Sequence, residues 1–223
     1  MLYDIVIYMP IKLNSKRVKN KSIKEFCNRP LLCWSLEKLD KLNIPIFIYS
    51  SSCDIIKNLL DFDIKNILFC DRDKALDGDE VIGIDIYKSF GNIISSKNYI
   101  LTHCTSPFIN VSTYIEAVES LLNKNYDSVF TATEEKTFCW LDGERINFNL
   151  PRIQTQFLKP VFVETSGIYG YKKHVLDLGS RTSNDNFNII KVSKLESIDI
   201  DTLDDFYFAE KVGRSIINDG GLL

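Results

Sequence analysis

Two short runs of this 223-residue chain carry residues whose types and spacing could do chemistry. Between positions 12 and 24 (KLNSKRVKNKSIK) six lysine and arginine side chains crowd into one loop-like stretch. Toward the other end, Ser197-Ile198-Asp199-Ile200-Asp201 alternates acidic and aliphatic side chains. Lysines act as point charges and, with loop amides, can surround a triphosphate; Lys12, Lys16 and Lys21 are the candidates. On an extended segment Asp199 and Asp201 project to one face about 7 Å apart, where two carboxylates can share a hydrated Mg²⁺ or Mn²⁺ with substrate phosphates. Each run also has a plainer reading, a solvated basic loop and an acidic edge strand facing water.

The elements that would position these runs follow a regular rhythm. Asp4 to Met9 predicts a first strand that ends just before the basic run, and Leu32, Leu36 and Leu39 predict a helix over 31–42. Strands are expected near 44–49, 67–70, 98–102, 128–132, 166–171, 188–192 and 197–201. Helices are expected near 53–60, 80–90, 112–122, 173–178 and 203–217. Strands separated by helices predict an α/β fold with a mostly parallel sheet and helices on both faces. In such a sheet ligands sit outside the carboxyl ends of the strands, which is where the basic run begins.

Composition narrows the classes. With 27 basic against 30 acidic residues the chain has no whole-molecule footprint for nucleic acid, so the basic run is a local feature suited to a small anion. Neither Gly-x-x-x-x-Gly-Lys-Ser/Thr nor Gly-x-Gly-x-x-Gly occurs in it, which disfavours P-loop and dinucleotide sites. The six cysteines form no Cys-x-x-Cys pair, and with only two histidines a zinc site is not expected. No membrane segment or leader is expected either, and a reducing, cytoplasmic location follows.

Four segments together resemble the acylneuraminate cytidylyltransferases, the CMP-sialic acid synthetase family, and their CMP-Kdo relatives. They are Asn14-Ser15-Lys16-Arg17 with Lys21-Ser22-Ile23, then Thr105-Ser106-Pro107, then ETSGIY from Glu164 to Tyr169, and finally ESIDIDT from Glu196 to Thr202. The resemblance implies a Rossmann-like nucleotidyltransferase fold, CTP and a divalent metal, an eight- or nine-carbon sugar acid as acceptor, and a homodimer. Carried onto this chain, it implies catalytic roles for Lys21, Asp199 and Asp201, the aspartates as metal ligands. It implies nucleotide contacts for Lys12, Asn14, Ser15, Lys16, Lys21 and Arg72, and acceptor contacts for His103, Thr105, Ser106, Gln156, Glu164 and Thr165. Arg72 has the competing reading of a surface ion pair with Asp71 or Asp73, and Asp79 reads as the N-cap of the next helix.

Departures from the family pattern gather on one side. Lys12 stands for an arginine, His103 for a glutamine, Cys104 for a proline, Ser52 for an aspartate and Thr165 for an asparagine. Lysines and aspartates concerned with phosphate and metal are intact. The pattern predicts retained cytidylyl transfer to an altered acceptor: a sialic, pseudaminic or legionaminic type of nonulosonic acid. Kdo, a sugar phosphate, or a non-catalytic nucleotide-binding homologue are the alternatives.

The rhythm breaks between about 134 and 160, where an Asp142-Gly143 turn and several aromatics replace helical periodicity. One domain spanning 1–223 with a protruding arm is the simplest account. The arm either meets a second subunit or folds back on its own sheet.

Overall fold

The computed structural model describes residues 2–221 and 223. Its centre is one seven-stranded sheet made of β1 (Tyr3–Pro10), β2 (Ile46–Ser50), β3 (Ile67–Asp71), β4 (Ser96–Thr102), β5 (Ser128–Glu135), β6 (Val161–Lys172) and β7 (Phe187–Lys191). The spatial order is β7-β5-β6-β4-β1-β2-β3. All adjacent pairs are parallel except those of β6, which runs antiparallel to both β4 and β5. The sheet is therefore mostly parallel, as the alternation of elements requires.

Among the described residues six α-helices accompany the sheet: α1 (Leu31–Asp40), α2 (Cys53–Lys57), α3 (Gly83–Ile93), α4 (Val111–Leu122), α5 (Lys173–Asp177) and α6 (Leu203–Asn218). The two faces of the sheet bury different chemistry. Leu32, Leu36 and Leu39 of α1, Ile56 of α2 and Ala117 and Leu121 of α4 pack on an aliphatic face built from Ile5, Ile7, Ile46, Ile48 and Ile100. Tyr87 and Phe90 of α3 and Val175 and Leu176 of α5 pack on an aromatic face with Tyr8, Tyr49, Tyr99 and Tyr171. Strand alternation produces this split, since successive side chains point to opposite faces. The buried tyrosines keep hydrogen-bond partners: Tyr8 and Tyr171 share their hydroxyls, and the Tyr49 hydroxyl meets Ser89 at 2.8 Å. A third cluster holds Phe206 and Ala209 of α6 against Val18, Phe26, Leu31, Phe108 and Ile200. It fastens the last helix over the loop that follows β1.

Several boundaries differ from the sequence reading. The helix expected from 80 starts at Gly83, and its N-cap is Ile82 rather than Asp79. β6 begins five residues before the expected strand, because its first half continues the ladder with β5, pairing Val161 with Glu135. The expected strand at 197–201 is absent: the segment leaves a turn at 194–197 and joins no ladder, and the Ile200 amide instead donates to the Thr105 carbonyl at 2.9 Å. Its alternation survives without the sheet, since Ile200 is fully buried and Ile198 packs on the same cluster. By contrast α6 starts where expected, behind a capping box in which Asp205 N–H reaches Thr202 Oγ1 at 3.2 Å and Thr202 N–H reaches Asp205 Oδ2 at 2.7 Å.

The segment from 136 to 160 leaves the β5–β6 ladder and returns to it. It contains the two-residue hairpin Trp140–Leu141 with Glu144–Arg145, turned by Asp142 and Gly143 at positive φ. Phe138, Trp140 and Phe148 cluster edge to face, with Phe148 and Leu158 buried. Leu141, Leu150, Ile153 and Phe157 remain exposed, so these side chains are not folded onto the sheet.

Gly170 marks the tightest point of the core. A methyl group there would lie 2.5 Å from Val129 Cγ1 and 2.8 Å from Ile100 Cδ1. Gly170→Ala should lower stability by about 1–3 kcal/mol, the usual cost of overpacking. Urea denaturation measures this, and an unchanged midpoint would show that the β4–β6 contact relaxes without cost.

Candidate active site

β1 is followed in space by β2 and β3 on one side and by β4 on the other, so the chains leaving the carboxyl ends of β1 and β4 diverge and open a crevice. Two cavities occupy it. One of about 300 Å³ is lined by Lys12, Ser15, Lys21, His103, Thr105, Ser166, Asp199 and Asp201, among others. A second of about 250 Å³ shares Lys12, Ser15 and Lys21 with it and adds Asn14, Lys16, Arg17 and Asp79. Residues from both ends of the sequence therefore meet at one switch point.

The cationic side chains are engaged within the crevice. Lys21 donates to the Ile200 carbonyl at 2.6 Å and lies 3.4 Å from Asp201 Oδ1, which Arg17 meets at 3.0 Å. Lys16 reaches across to Asp79 at 2.7 Å, and Lys12 to the Gly78 carbonyl at 3.4 Å. Asp199 differs: its Oδ1 is buried and has no hydrogen-bond partner. A buried, unspent carboxylate oxygen is costly unless a cation or donor completes it.

Glu196 positions this acidic segment. Its carboxylate accepts from Thr113 Oγ1 at 2.6 Å and from the Asn110 amide at 3.2 Å, at the start of α4, and from Ser193 Oγ at 3.1 Å. Burial alone would raise its pKa, but these donors outweigh it and hold the carboxyl below its ordinary range. On the other side of the same turn Lys38 donates to the Pro107 and Ile109 carbonyls at 2.6 and 2.8 Å. Burial brings the Lys38 pKa down to about 8.

The His103 ring nitrogen Nδ1 lies 3.0 Å from the Ser166 carbonyl. Burial pushes its pKa below the ordinary value, against the Ser166 contact and the Asp199 carboxylate, which favour the charged ring. A neutral imidazole facing a carbonyl carries its proton on Nδ1, which leaves the Nε2 lone pair for a hydroxyl donor.

Other residues assigned from the sequence fall elsewhere. Arg72 is buried, donates to the Ile11 carbonyl at 2.9 Å, and pairs with Asp77 rather than with Asp71 or Asp73. It braces the ends of β1 and β2 from beneath and lines neither crevice cavity. Ser106 is buried inside the turn after β4, its amide bonded to the His103 carbonyl at 3.3 Å. Thr165 bonds Thr131 Oγ1 at 2.6 Å, at the irregularity in the β5–β6 ladder, so it serves the sheet. Gln156 is exposed on the arm, bonded to Gln154 at 2.9 Å, outside its own chain's crevice. Glu164 accepts from the Tyr169 hydroxyl at 2.6 Å and has Arg181 within 3.7 Å. Sequence reading passed over Arg181, Ser166 and Lys38. Ser166 lies within the ETSGIY segment but was given no role there; Arg181 and Lys38 sit in no motif, and only the fold brings Arg181 to the crevice and Lys38 to the turn behind it.

A mostly parallel α/β sheet with a lysine-rich loop and a carboxylate pair facing each other at its switch point defines an α/β protein with a site suited to a small phosphorylated ligand and a cation. The sequence model described as Cytidylyltransferase matches residues 6–139, more than half of the chain, and the chain belongs to that family. Two strains of Campylobacter jejuni subsp. jejuni have proteins named pseudaminic acid cytidylyltransferase that are 29% identical to it over 135 residues. That match covers 56% of this chain, and the chain spans only about half the length of these relatives, 56% of each. Among solved structures, a CMP:2-keto-3-deoxy-manno-octonic acid synthetase complexed with CTP superposes with a TM-score of 0.67 at 12% identity, over 95% of this chain and 98% of that one. The 4-diphosphocytidyl-2C-methyl-D-erythritol synthase of Anaerococcus prevotii superposes with a TM-score of 0.65 at 16% identity, over 94% of this chain and 96% of that one. At those identities the likeness is one of fold.

The His103 environment has a pH consequence. Because folding lowers this pKa, the unfolded chain binds the proton first, so the contribution of His103 to stability falls as pH drops through about 6.5. In a His174→Gln variant, which leaves one histidine, NMR titration of the ring should give a midpoint below that of a free imidazole and the Nδ1–H tautomer. A midpoint above it would contradict the assignment.

Proposed function

We propose that the chain transfers CMP from CTP to a nonulosonic acid, a pseudaminic, sialic or legionaminic type of sugar acid, and releases pyrophosphate. The observation that carries this reading is the meeting of Lys12, Lys16 and Lys21 with Asp199 and Asp201 across the β1/β4 crevice. The likeness to proteins named pseudaminic acid cytidylyltransferase supports the acceptor class.

In the reaction a hydroxyl oxygen of the sugar acid bonds to the α-phosphorus of CTP, and the bond from that phosphorus to the bridging oxygen of pyrophosphate breaks. The hydroxyl proton leaves to solvent or to a base in the crevice. Lys12, Lys16 and Lys21 hold the phosphates and offset the charge that grows on the leaving group. To do so Lys16 exchanges Asp79, and Lys21 and Arg17 exchange Asp201, for phosphate oxygens. Asn14 and Ser15 line the same cavity and supply polar contacts to the nucleotide. Thr105 and the Nε2 of His103 face the acceptor.

Asp199 and Asp201 are the residues that would hold a divalent cation. The fit rests on the orphaned Asp199 oxygen and on an all-oxygen donor pair, which suits Mg²⁺ or Mn²⁺. Among the described residues no group of three or more metal-ligating side chains forms, so remaining coordination positions fall to phosphate and water. When bound, the ion supplies Lewis-acid polarisation of the α-phosphate and lowers the pKa of the attacking hydroxyl.

A homodimer through the arm belongs to the same proposal. Leu141, Leu150, Ile153 and Phe157 leave an apolar surface exposed on a segment that projects from the sheet, and Gln156 would then serve the partner's crevice. The cytoplasm is the proposed compartment; six unpaired cysteines suit a reducing one, and among the described residues no helix is long and apolar enough to cross a membrane.

Three experiments test these statements. Pyrophosphate release with Mg²⁺ and each of the four NTPs, against nonulosonic acids, Kdo and sugar phosphates, should single out CTP with a nonulosonic acid. Asp199→Asn and Asp201→Asn should each lower turnover by about 10²-fold or more with the fold retained. Equal release with other NTPs, or unchanged turnover in these variants, would refute the reading. In sedimentation, a dimeric wild type should become monomeric with Phe157→Glu and Leu150→Glu combined; a monomeric wild type overturns the dimer.

A further inference from the structure

Beyond the phosphate loop, on the far wall of the crevice, lies a charge that the proposed reaction has not used. Arg181 follows α5 and lines the 300 Å³ cavity together with Lys21, Asp199 and Asp201. It also lines an adjoining cavity of about 470 Å³ formed with Ile82, Gly83, Ile84, Tyr87 and Ser180. Arg181 and Tyr87 are common to both spaces, so they stand at the passage between them.

The other cations lining the crevice already have acceptors: Lys12 has a carbonyl, Lys16 has Asp79, and Arg17 and Lys21 have Asp201. Arg181 is held in another way. Its guanidinium lies 3.8 Å from the Tyr169 ring centroid, and the Tyr169 hydroxyl is spent on Glu164. Its nearest carboxylate, Glu164, is 3.7 Å away, beyond hydrogen-bond distance. Stacking fixes the plane of the guanidinium, and beside the long ion pair with Glu164 its N–H groups make no direct hydrogen bond among the described residues, an arrangement that can receive a carboxylate through two parallel hydrogen bonds.

We propose that Arg181 is the anchor for the carboxylate of the acceptor, and that the 470 Å³ cavity beyond it receives the rest of the sugar. This rests on the reading of the reaction given above. In a nonulosonic acid the reacting anomeric hydroxyl and the carboxylate are borne by the same carbon. A carboxylate anchor must therefore lie in the same cavity as the aspartates, as Arg181 does. The remaining substituents then point away from the nucleotide, into the space bounded by Ile82, Ile84, Tyr87 and Ser180, whose mostly polar lining suits the hydroxyl and amide groups of a sugar.

The test compares pseudaminic acid with its primary carboxamide as acceptors for the wild type, Arg181→Gln and Arg181→Lys, by steady-state pyrophosphate release. The wild type should favour the acid by about 10- to 100-fold in kcat/KM, the range of charge-assisted hydrogen bonds. Arg181→Gln should lose that preference through KM for the acid, with a much smaller loss for the carboxamide, and leave KM for CTP unchanged. Arg181→Lys should retain part of the preference, and decides the matter if the Gln variant does not fold. An undiminished preference for the acid in either variant overturns the anchor while leaving the reaction intact. If the wild type turns over no sugar acid, the acceptor class is refuted, and the anchor with it.

Discussion

Glu196 carries a carboxylate into a nearly dry position between the start of α4 and the acidic segment, and the geometry of the crevice depends on how that charge is satisfied. Burying a carboxylate is unfavourable unless donors replace water. The Thr113 hydroxyl, the Asn110 amide and the Ser193 hydroxyl do so, two of them at a helix N-terminus where the backbone dipoles favour negative charge. Residues 197–201 belong to no strand ladder, so this tie and the Ile200–Thr105 hydrogen bond are what set Asp199 and Asp201 against the end of β4. Lys38 holds the carbonyls of the same turn from the α1 side, at the cost of a charge whose pKa burial brings down to about 8. A buried acid and a buried base thus clamp one turn between two helices. Its Thr105 is the point to which the acidic segment attaches.

The two faces of the sheet serve this arrangement differently. The aliphatic face is a packing surface, and α1 and α4 on it carry Lys38 and Thr113 to the turn. The aromatic face ends at the crevice, where Tyr87 and Tyr169 pass from core to wall. Their ring faces support Arg181, which water alone could not orient so strictly. Arg72 works from below: its buried guanidinium collects the Ile11 carbonyl and Asp77, joining the loop after β1 to the loop after β3. Removing either partner of such a pair leaves a buried charge unpaired, so the brace helps fix the loop that lines the crevice.

Much of this was legible in the amino-acid order, because it depends on short-range periodicity and local chemistry. Alternation of β-rich and helical runs predicted the parallel sheet, the helical period over 203–217 marked the last helix, and the lysine loop after β1 together with the Asp-x-Asp pair marked the crevice. Even the facing of Asp199 and Asp201 was readable, since the acidic–aliphatic alternation puts both carboxylates in one cavity and Ile200 in the core although no strand forms. What only the tertiary structure decided concerns partners distant in sequence. Ser106 and Thr165 turned inward to hydrogen bonds, Arg72 chose Asp77 over its immediate neighbours, Asp79 became a partner for Lys16 instead of a helix cap, and Arg181 came to the cavity from a loop without any motif. Local pattern reports which face a residue takes within its own element. Which charge it meets there is settled when the elements pack, because burial removes water as an alternative and each polar group must find its partner within a few ångströms.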